Sequence, residues 1–193
     1  MATRIVALSG PAGSGKSVAA DYLKDHFGFT SVKFAGPLKA MLGAYYQTQG
    51  LDLSEIDRRI EGDLKEVPDP YLNGRTPREA MIFLGTEWGR DLMSPTFWID
   101  AWKRAVEAEG GTVVVDDCRF PNEAAAIKEM GGEVVRLKPK VQRRKKTDHV
   151  SEAGLPDDLV DHEIINDGTI QDLRVKVADA VFPMILFEPG DLA

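Results

Sequence analysis

The sequence predicts a three-layer α/β fold, with a five-stranded parallel sheet between helices and one helical insertion between the second and third strands. Two observations carry this prediction. Short apolar runs rich in β-branched residues alternate with helical patterns, which is typical of parallel strands joined by crossover helices. The alternation stops once, from Phe34 to Thr112, where helical patterns occur without a convincing strand.

Five segments have the composition of buried parallel strands. They are Arg4–Ser9, Ser31–Phe34, Thr112–Asp117, Glu133–Leu137 and His162–Asn166. Three helical patterns accompany them, at Ser17–Phe27, Pro121–Met130 and Thr169–Leu186. Each of these helices follows a predicted strand, as the crossover connections of a parallel sheet require.

The insertion contains three amphipathic patterns. The first places apolar residues at Leu38, Met41, Leu42 and Tyr45, and the last places them at Trp98, Ala101, Trp102 and Ala105. The middle helix begins at Thr76, because Pro77 suits the first helical position and Glu79 completes a capping box. Its apolar stripe consists of Met81, Leu84, Trp88 and Leu92. The prolines and glycine of residues 61–75 predict a mobile loop before that helix.

The glycine-rich segment GPAGSGKS at residues 10–17 matches the pattern G-x-x-x-x-G-K-[ST]. It lies between a predicted strand and a predicted helix, where its backbone N–H groups and the helix N-terminus can hold phosphates. Lys16 would add charge beside the transferring phosphoryl group, and the Ser17 hydroxyl would bind Mg²⁺. We therefore predict a P-loop NTPase fold. The expected ATP-binding residues are Gly10, Ala12, Gly13, Ser14, Gly15, Lys16 and Ser17.

The third predicted strand ends in two carboxylates, Asp116 and Asp117, as expected of an acidic element that organises Mg²⁺ and its waters. Adjacent residues of a strand point to opposite faces, so only one of the two can face the phosphate loop. The pattern alone does not choose between them, and a solvated turn after the strand is the alternative. We interpret Cys118 as a small buried side chain, because no histidine lies near it to activate it.

Composition excludes several classes of protein. The formal net charge of -7 argues against binding a nucleic-acid duplex, and no apolar run is long enough to span a membrane. The N-terminus lacks the apolar region and cleavage site of a signal peptide. The single cysteine cannot form an internal disulfide, which fits a reducing cytoplasm. We expect one soluble domain of 193 residues, and a homodimer stays open beside a monomer.

Six segments occur in one order along the whole chain. They are GPAGSGKS at 10–17, FAGPLK at 34–39, GRTPREAMIFLGTEWGRD at 74–91, DCRFPNE at 117–123, DHVSE at 148–152 and INDGT at 165–169. Together they resemble the bacteriophage deoxynucleoside monophosphate kinase family, a branch of the P-loop nucleoside monophosphate kinases. The chain departs from the family pattern at Gly36, where an acid is often found. The resemblance favours Asp117 over Asp116 as the metal-binding acid beside Ser17.

The resemblance implies a single P-loop kinase domain, residues 1–193, with ATP and Mg²⁺ as cofactors and a deoxynucleotide as acceptor. Its core would be 1–34 and 112–193, and its acceptor-binding insertion about 35–111. The basic run Arg143–Lys146 would belong to a short lid, about 139–150, in which Arg143 and Arg144 bind ATP. The alternative for this run is a solvated loop.

An acceptor phosphate requires arginines, because a planar guanidinium binds phosphate oxygens in bidentate fashion. The predicted substrate-binding residues are Phe34, Lys39, Arg75, Arg78, Trp88, Arg90 and Glu123. Arg90 is the first choice among the arginines, since it follows Gly89 in the most distinctive segment. For Trp88, core packing is the alternative to base stacking. The predicted catalytic residues are Lys16, Arg90, Asp117 and Arg119.

These residues predict phosphorylation of a nucleoside monophosphate by ATP in the cytoplasm, or in the host cytoplasm if the chain is viral. The monophosphate is already anionic, so the reaction needs no general base. The first alternative is a P-loop kinase for a coenzyme precursor or a sugar acid, in which a carboxylate would act as base on a hydroxyl. The second is a P-loop ATPase regulated by a partner protein.

Overall fold

The computed structural model describes residues 3–140 and 154–186. Its five strands are β1 Arg4–Ser9, β2 Thr30–Ser31, β3 Thr112–Val115, β4 Glu133–Pro139 and β5 His162–Asn166. They form one sheet in the order β2-β3-β1-β4-β5, and all four neighbouring pairs are parallel. The predicted α/β class and the five-stranded parallel sheet are confirmed.

Seven α-helices and one π-helix lie in these residues. The α-helices are α1 Lys16–Phe27, α2 Gly36–Thr48, α3 Leu53–Ile60, α4 Pro77–Phe83, α5 Phe97–Glu109, α6 Pro121–Glu129 and α7 Ile170–Leu186. The π-helix is Leu84–Met93. Short 3₁₀ turns occur at Pro70–Leu72 and Asp157–Leu159. None of the helices in the described ranges combines the length and the apolar composition that a bilayer span requires.

The described residues divide into two compact units. The first lies within Met1–Lys33 and Lys103–Ala193, and it contains the sheet. On one face of the sheet, Val6 and Leu8 pack with apolar residues of α1 and α7 in a buried cluster. On the other face, Ile127 of α6 and Ile5 of β1 lie so close to Gly132 that an added Cβ would be 2.8 Å from each. Helices therefore cover both faces, as predicted for a three-layer fold.

The second strand is shorter than predicted and ends at Ser31. The backbone N–H of Val32 still bonds to the Val114 carbonyl at 3.1 Å, but the chain then leaves the sheet. Lys33 turns its Nζ to Asp116, and Phe34 enters the second unit, where its ring lies 4.4 Å from that of Trp102. The chain thus leaves the sheet at the residues that make these two side-chain contacts.

The second unit is Phe34–Trp102 and consists of helices and turns. Its buried cluster is Leu38, Leu42, Tyr46, Leu51, Ile56, Ile60, Met81 and Trp98. Helix α3 lies outside the patterns that we predicted, and its N-cap is Asp52, which accepts a hydrogen bond from the Glu55 N–H at 2.8 Å. The capping box of Thr76 and Glu79 is present as predicted.

Residues 61–75, predicted to be a mobile loop, are attached to this unit through the buried Asp69. Its carboxylate accepts hydrogen bonds from the Tyr46 hydroxyl at 3.0 Å, the Arg59 Nε at 2.9 Å and the Tyr71 N–H at 2.8 Å. A buried carboxylate needs such compensation, because burial without partners costs several kcal/mol. The contacts fix this segment at its middle.

The helix that begins at Thr76 changes from α to π at Leu84, so the predicted apolar stripe does not continue. Hydrogen bonds in a π-helix join residue i to i+5 rather than i+4, which shifts each following side chain around the axis. Leu92 is 76% exposed in consequence, although an α-helical period would place it over Met81 and Leu84. The buried positions of the π-helix are Gly85 and Gly89.

Candidate active site

The phosphate loop connects β1 to α1 through backbone conformations that only glycine adopts easily. Gly10, Gly13 and Gly15 have φ angles of 134°, 76° and 101°. A Cβ on Gly10 would lie 2.3 Å from the Leu137 carbonyl oxygen, and one on Gly15 would lie 2.7 Å from the Leu173 side chain. The sequence pattern of the loop therefore matches its geometry, and larger residues at 10 and 15 would displace strand β4 or helix α7.

Lys16 lies at the start of α1 and closes the loop on itself. Its Nζ donates hydrogen bonds to the carbonyls of Gly10 at 2.7 Å and Pro11 at 2.9 Å. Burial first, and the charge of Arg119 second, lower the pKa of Lys16 to about 8, while the charge of Asp116 acts in the opposite direction. Lys16, Arg119 and Asp116 therefore share one electrostatic environment. An anionic ligand would relieve the cost of burying this ammonium group.

The two acids after β3 have different surroundings, as strand alternation predicts. Asp116 accepts a hydrogen bond from Lys33 Nζ at 3.0 Å through Oδ2, and its charge raises the pKa of Lys16. Asp117 instead contributes to the raised pKa of Cys118, for which burial is the first cause and Glu123 the second. The electrostatic link to Lys16 favours Asp116, the alternative, as the acid that serves the phosphate loop. The preference for Asp117 stays a prediction.

The residues at this end of the sheet fit a magnesium ion. Asp116 Oδ1 is buried and has no hydrogen-bond partner among residues 3–140 and 154–186, and the same is true of Ser14 Oγ. The Ser17 side chain is exposed on the first turn of α1. No group of three His, Cys, Asp or Glu side chains in the described ranges forms a metal site by itself. Proteins often hold Mg²⁺ through one or two side chains and the substrate phosphates.

Glu123 does not have the substrate-binding position that we predicted. Its side chain is buried, and Oε2 accepts hydrogen bonds from the backbone N–H groups of Arg119 at 2.8 Å and Phe120 at 3.0 Å. These bonds cap the N-terminus of α6, where a carboxylate is favoured. Arg119 itself is exposed, and it acts on Lys16 through its charge.

In the second unit, the Arg90 guanidinium is oriented by the π-helix. Its Nη1 donates to the Gly85 carbonyl at 2.8 Å, and the Trp98 indole Nε1 donates to the same oxygen at 3.0 Å. Gly89 permits this arrangement, since a Cβ there would lie 2.1 Å from Trp98 Nε1. The Gly85 carbonyl therefore accepts hydrogen bonds from both Arg90 and Trp98, which orients the arginine.

The other predicted cations of the second unit make contacts within it. Arg78 forms an ion pair with Glu66, and Lys39 Nζ donates to Glu61 Oε1 at 2.5 Å. Arg75 is 60% exposed and lies over the Phe83 ring, with 5.0 Å from its Cζ to the ring centroid. These contacts are compatible with an acceptor role, but each cation would exchange or share a partner on binding phosphate.

The predicted aromatic residues belong to packing clusters. Phe34 is 3% exposed and its ring is tilted by 32° against that of Trp102, so the geometry favours core packing over contact with a nucleotide base. Trp88 is half-buried and meets Phe97 edge-on, with ring centroids 5.3 Å apart. For Trp88, the geometry favours the alternative of core packing. The predicted lid residues Arg143 and Arg144 lie outside the described residues.

Two residues near the loop are not among the predicted site residues. Lys33 pairs with Asp116, and Asn166 donates from Nδ2 to the Ser14 carbonyl at 3.0 Å. Both stand at or just beyond the carboxyl end of a strand, where ligands bind in α/β folds. That position is a usable signal, and for Asn166 the INDGT segment is a second one.

Comparisons with known proteins show which family this chain resembles. The family model for deoxynucleotide monophosphate kinase matches residues 59–177. A protein of Acanthamoeba polyphaga mimivirus, provisionally named deoxynucleotide monophosphate kinase, is 33% identical over 147 residues, which cover 69% of this chain and 72% of that protein. The deoxynucleoside-5'-monophosphate kinase of Escherichia phage T5 is 33% identical over 53% of this chain, but the match covers only 44% of the phage protein.

A third relative matches over almost its whole length. The deoxynucleotide monophosphate kinase of Enterobacteria phage T4 is 22% identical, and the match covers 92% of this chain and 98% of the phage protein. The family model covers more than half of the chain, and the mimivirus relative is matched over more than two thirds of its length. This chain belongs to the deoxynucleotide monophosphate kinase family.

Proposed function

We propose that the chain transfers the γ-phosphoryl group of ATP to a deoxynucleoside monophosphate. Family membership makes it a nucleoside monophosphate kinase, which sets the class of reaction. The observation that carries the donor side is the glycine loop closed by Lys16 on the carbonyls of Gly10 and Pro11. This loop presents backbone N–H groups and one ammonium at the N-terminus of α1, the environment in which proteins bind di- and triphosphates.

On the donor side, Lys16 would exchange its two carbonyl contacts for phosphate oxygens and stay charged. Arg119 would add positive charge as negative charge moves toward the leaving oxygen. Ser17 and Asp116 would hold Mg²⁺, with Asp117 as the alternative acid. Magnesium bound there supplies neutralisation of the phosphate oxygens. Lys33 would orient the Asp116 carboxylate through its 3.0 Å contact.

On the acceptor side, we assign the monophosphate to cations of the second unit, and Arg90 first among them. The acceptor oxygen is already anionic near neutral pH, so the chain needs a group that aligns it rather than a base that deprotonates it. The contact of Arg90 Nη1 with the Gly85 carbonyl restricts the orientation of the planar guanidinium, which is the group suited to phosphate. Arg75, Arg78 and Lys39 are the further candidates.

The two alternatives have less support. A kinase for a coenzyme precursor or a sugar acid would need a carboxylate as base on a hydroxyl. A partner-regulated ATPase would hydrolyse ATP without any small-molecule acceptor. The family match favours the nucleoside monophosphate over both.

A coupled assay of ADP release tests the proposal, with ATP as donor and a panel of deoxy- and ribonucleoside monophosphates as acceptors. Phosphorylation of at least one deoxynucleoside monophosphate is expected. Arg90→Lys keeps the charge but loses the fork, so we expect kcat/KM for the acceptor to fall about ten- to a hundredfold. The KM for ATP should hardly change.

Arg58→Lys is the matched control, because Arg58 is an arginine of the same unit that pairs with Asp63 at the surface. This variant should behave like the wild type. If Arg90→Lys weakens ATP binding and leaves the acceptor KM unchanged, Arg90 acts on the donor and the acceptor assignment fails. Turnover of ATP without any monophosphate acceptor would support the ATPase alternative.

A further inference from the structure

Asn166 is the last residue of β5 and reaches the phosphate loop from outside it. Its side-chain Nδ2 donates to the Ser14 carbonyl at 3.0 Å. Its backbone carbonyl accepts the Lys140 N–H at 3.1 Å, just beyond β4. The side chain therefore extends from a strand end that the neighbouring strand fixes, and both partners of the contact lie in the first unit. A rigid origin is what a positioning group needs.

The contact acts on one peptide plane. The Ser14 carbonyl and the Gly15 N–H belong to the same peptide group, which is trans, so the two bonds point in opposite directions. A donor that holds the carbonyl on the side of β5 therefore turns the Gly15 N–H to the opposite side. Rotation of this plane would bring the carbonyl oxygen, an acceptor, to the place where the N–H stood.

The neighbouring residues leave this plane few alternatives. The Ser14 N–H donates to the Pro11 carbonyl at 3.2 Å, so both backbone polar groups of this fully buried residue are engaged. Gly15 has a φ of 101°, which favours glycine, and a Cβ there would lie 2.9 Å from Asn166 Nδ2. Because Gly15 has no side chain, the side-chain amide of Asn166 can approach the loop.

We propose that Asn166 is a positioning residue for donor binding, which fixes the Ser14–Gly15 peptide so that the Gly15 N–H faces the phosphates. The inference rests on the proposed function in one respect, that the loop at 10–17 holds the donor phosphates. The amide of Asn166 acts as a neutral donor. An aspartate would place a carboxylate oxygen against the Ser14 carbonyl oxygen and add a negative charge close to the phosphates.

The test compares Asn166→Ala with the isosteric Asn166→Asp by equilibrium binding of ADP in the presence of Mg²⁺, with no acceptor. Asn166→Ala loses one hydrogen bond, so we expect about three- to tenfold weaker binding of ADP. Asn166→Asp should bind ADP more weakly still. A role in packing alone predicts the reverse order, because Asp keeps the shape of Asn. In the assay of transfer, the KM for ATP should rise and the KM for the acceptor should stay constant.

Lys176→Met is the matched control. Lys176 secures the same turn through the Ile165 carbonyl at 2.8 Å and Asp167 at 2.7 Å, without touching Ser14. This variant should bind ADP like the wild type. Equal loss in Lys176→Met, wild-type binding in both Asn166 variants, or tighter binding in Asn166→Asp than in Asn166→Ala would each overturn the proposal.

The ADP-induced rise in Tm is a second readout, and it should be smaller in both Asn166 variants than in the wild type. If Asn166→Ala does not fold, Asn166→Asp is compared with the wild type on this measure, and an unchanged rise overturns the proposal. A wild-type chain that binds ADP but phosphorylates no monophosphate contradicts the proposed acceptor and leaves the role of Asn166 standing. A wild-type chain that binds no ADP overturns both.

Discussion

At Lys16, burial favours the neutral amine, whereas the proposed binding of phosphate needs the charged ammonium form. Burial and Arg119 bring its pKa down to about 8, so a part of the protein carries a neutral Lys16 in mildly alkaline solution. Phosphate binding requires the ammonium form. A bound phosphate adds negative charge and restores the pKa, and binding above pH 8 therefore takes up a proton.

The first prediction concerns this proton. A ligand that binds only the ammonium form loses affinity as the pH passes the pKa of the free protein, which is about 8. We expect the affinity for ADP to fall about tenfold between pH 7 and pH 9, as long as the pKa in the complex stays above 9. Calorimetry in buffers of different ionisation enthalpy should detect proton uptake near pH 8.5.

Lys16→Met should bind ADP weakly at every pH and take up no proton. Lys24→Met is its control, since Lys24 is a lysine on the same helix that pairs with Asp21 at the surface. An affinity of the wild type that does not depend on pH over this range would show that Lys16 is not the titrating group.

The second prediction separates the two acids. Asp116 has one buried oxygen without a partner among the described residues and acts on Lys16 through its charge. Asp116→Asn should therefore raise the Mg²⁺ concentration required for half-maximal activity by about ten- to a hundredfold. Asp117→Asn should change it less, which is the opposite of the order that the family resemblance implies. The measurement is a Mg²⁺ titration of the activity of both variants. A larger increase in the required Mg²⁺ concentration for Asp117→Asn would assign the metal to Asp117 instead.

For single residues, the sequence predicts which chemical groups the site contains better than it predicts where their side chains point. The loop pattern identifies Gly10, Gly15 and Lys16, because each position has its own physical requirement. The pattern at Asp116 and Asp117 does not choose between them, since the choice depends on where β3 ends. Glu123 resembled a cleft residue but caps α6 instead, and both roles use a carboxylate near a strand end.

Among the elements, the π-helix Leu84–Met93 departs furthest from what periodicity predicts. Nothing in its residue types forbids an α-helix, and the transition follows from tertiary contacts. Gly89 has no Cβ, so the Trp98 indole can approach the helix and donate to the Gly85 carbonyl. This π-helix is ten residues long and carries Arg90.

The third prediction tests this packing by stability. A Cβ on Gly89 would overlap Trp98 and approach the Leu84 carbonyl at 2.9 Å, so Gly89→Ala should lower the free energy of unfolding by about 1–3 kcal/mol. Gly43→Ala is the matched control in α2, where an added Cβ meets ordinary contacts at 3.5 Å and beyond. That change should raise stability by about 0.5–1 kcal/mol. Urea denaturation of both variants is the measurement, and equal effects would contradict the close approach of Trp98.

In the whole molecule, the strand order determines which residues meet at the phosphate loop. Strand β1 is central, with β3 and β4 as its neighbours, so the loop after β1 lies at the same edge as Asp116 after β3. The alternation of strands and helices along the sequence predicts five parallel strands, but it does not predict the order of those strands in the sheet. The order depends on which crossovers pack best, a property of the assembled sheet.

The last prediction follows from the division of the described residues into two units and from the assignment of donor and acceptor. Hydrogen exchange reports which backbone amides a ligand protects. With ADP and Mg²⁺ alone, we expect slower exchange in residues 10–17 and at the end of β5, where Asn166 holds the loop. With a deoxynucleoside monophosphate alone, slower exchange should appear in residues 75–93, which carry Arg75, Arg78 and Arg90. Arg90→Lys should lose the second pattern and keep the first, because only acceptor binding uses its fork. Protection by the monophosphate confined to residues 10–17 would place both nucleotides on the phosphate loop and remove the acceptor role from the second unit.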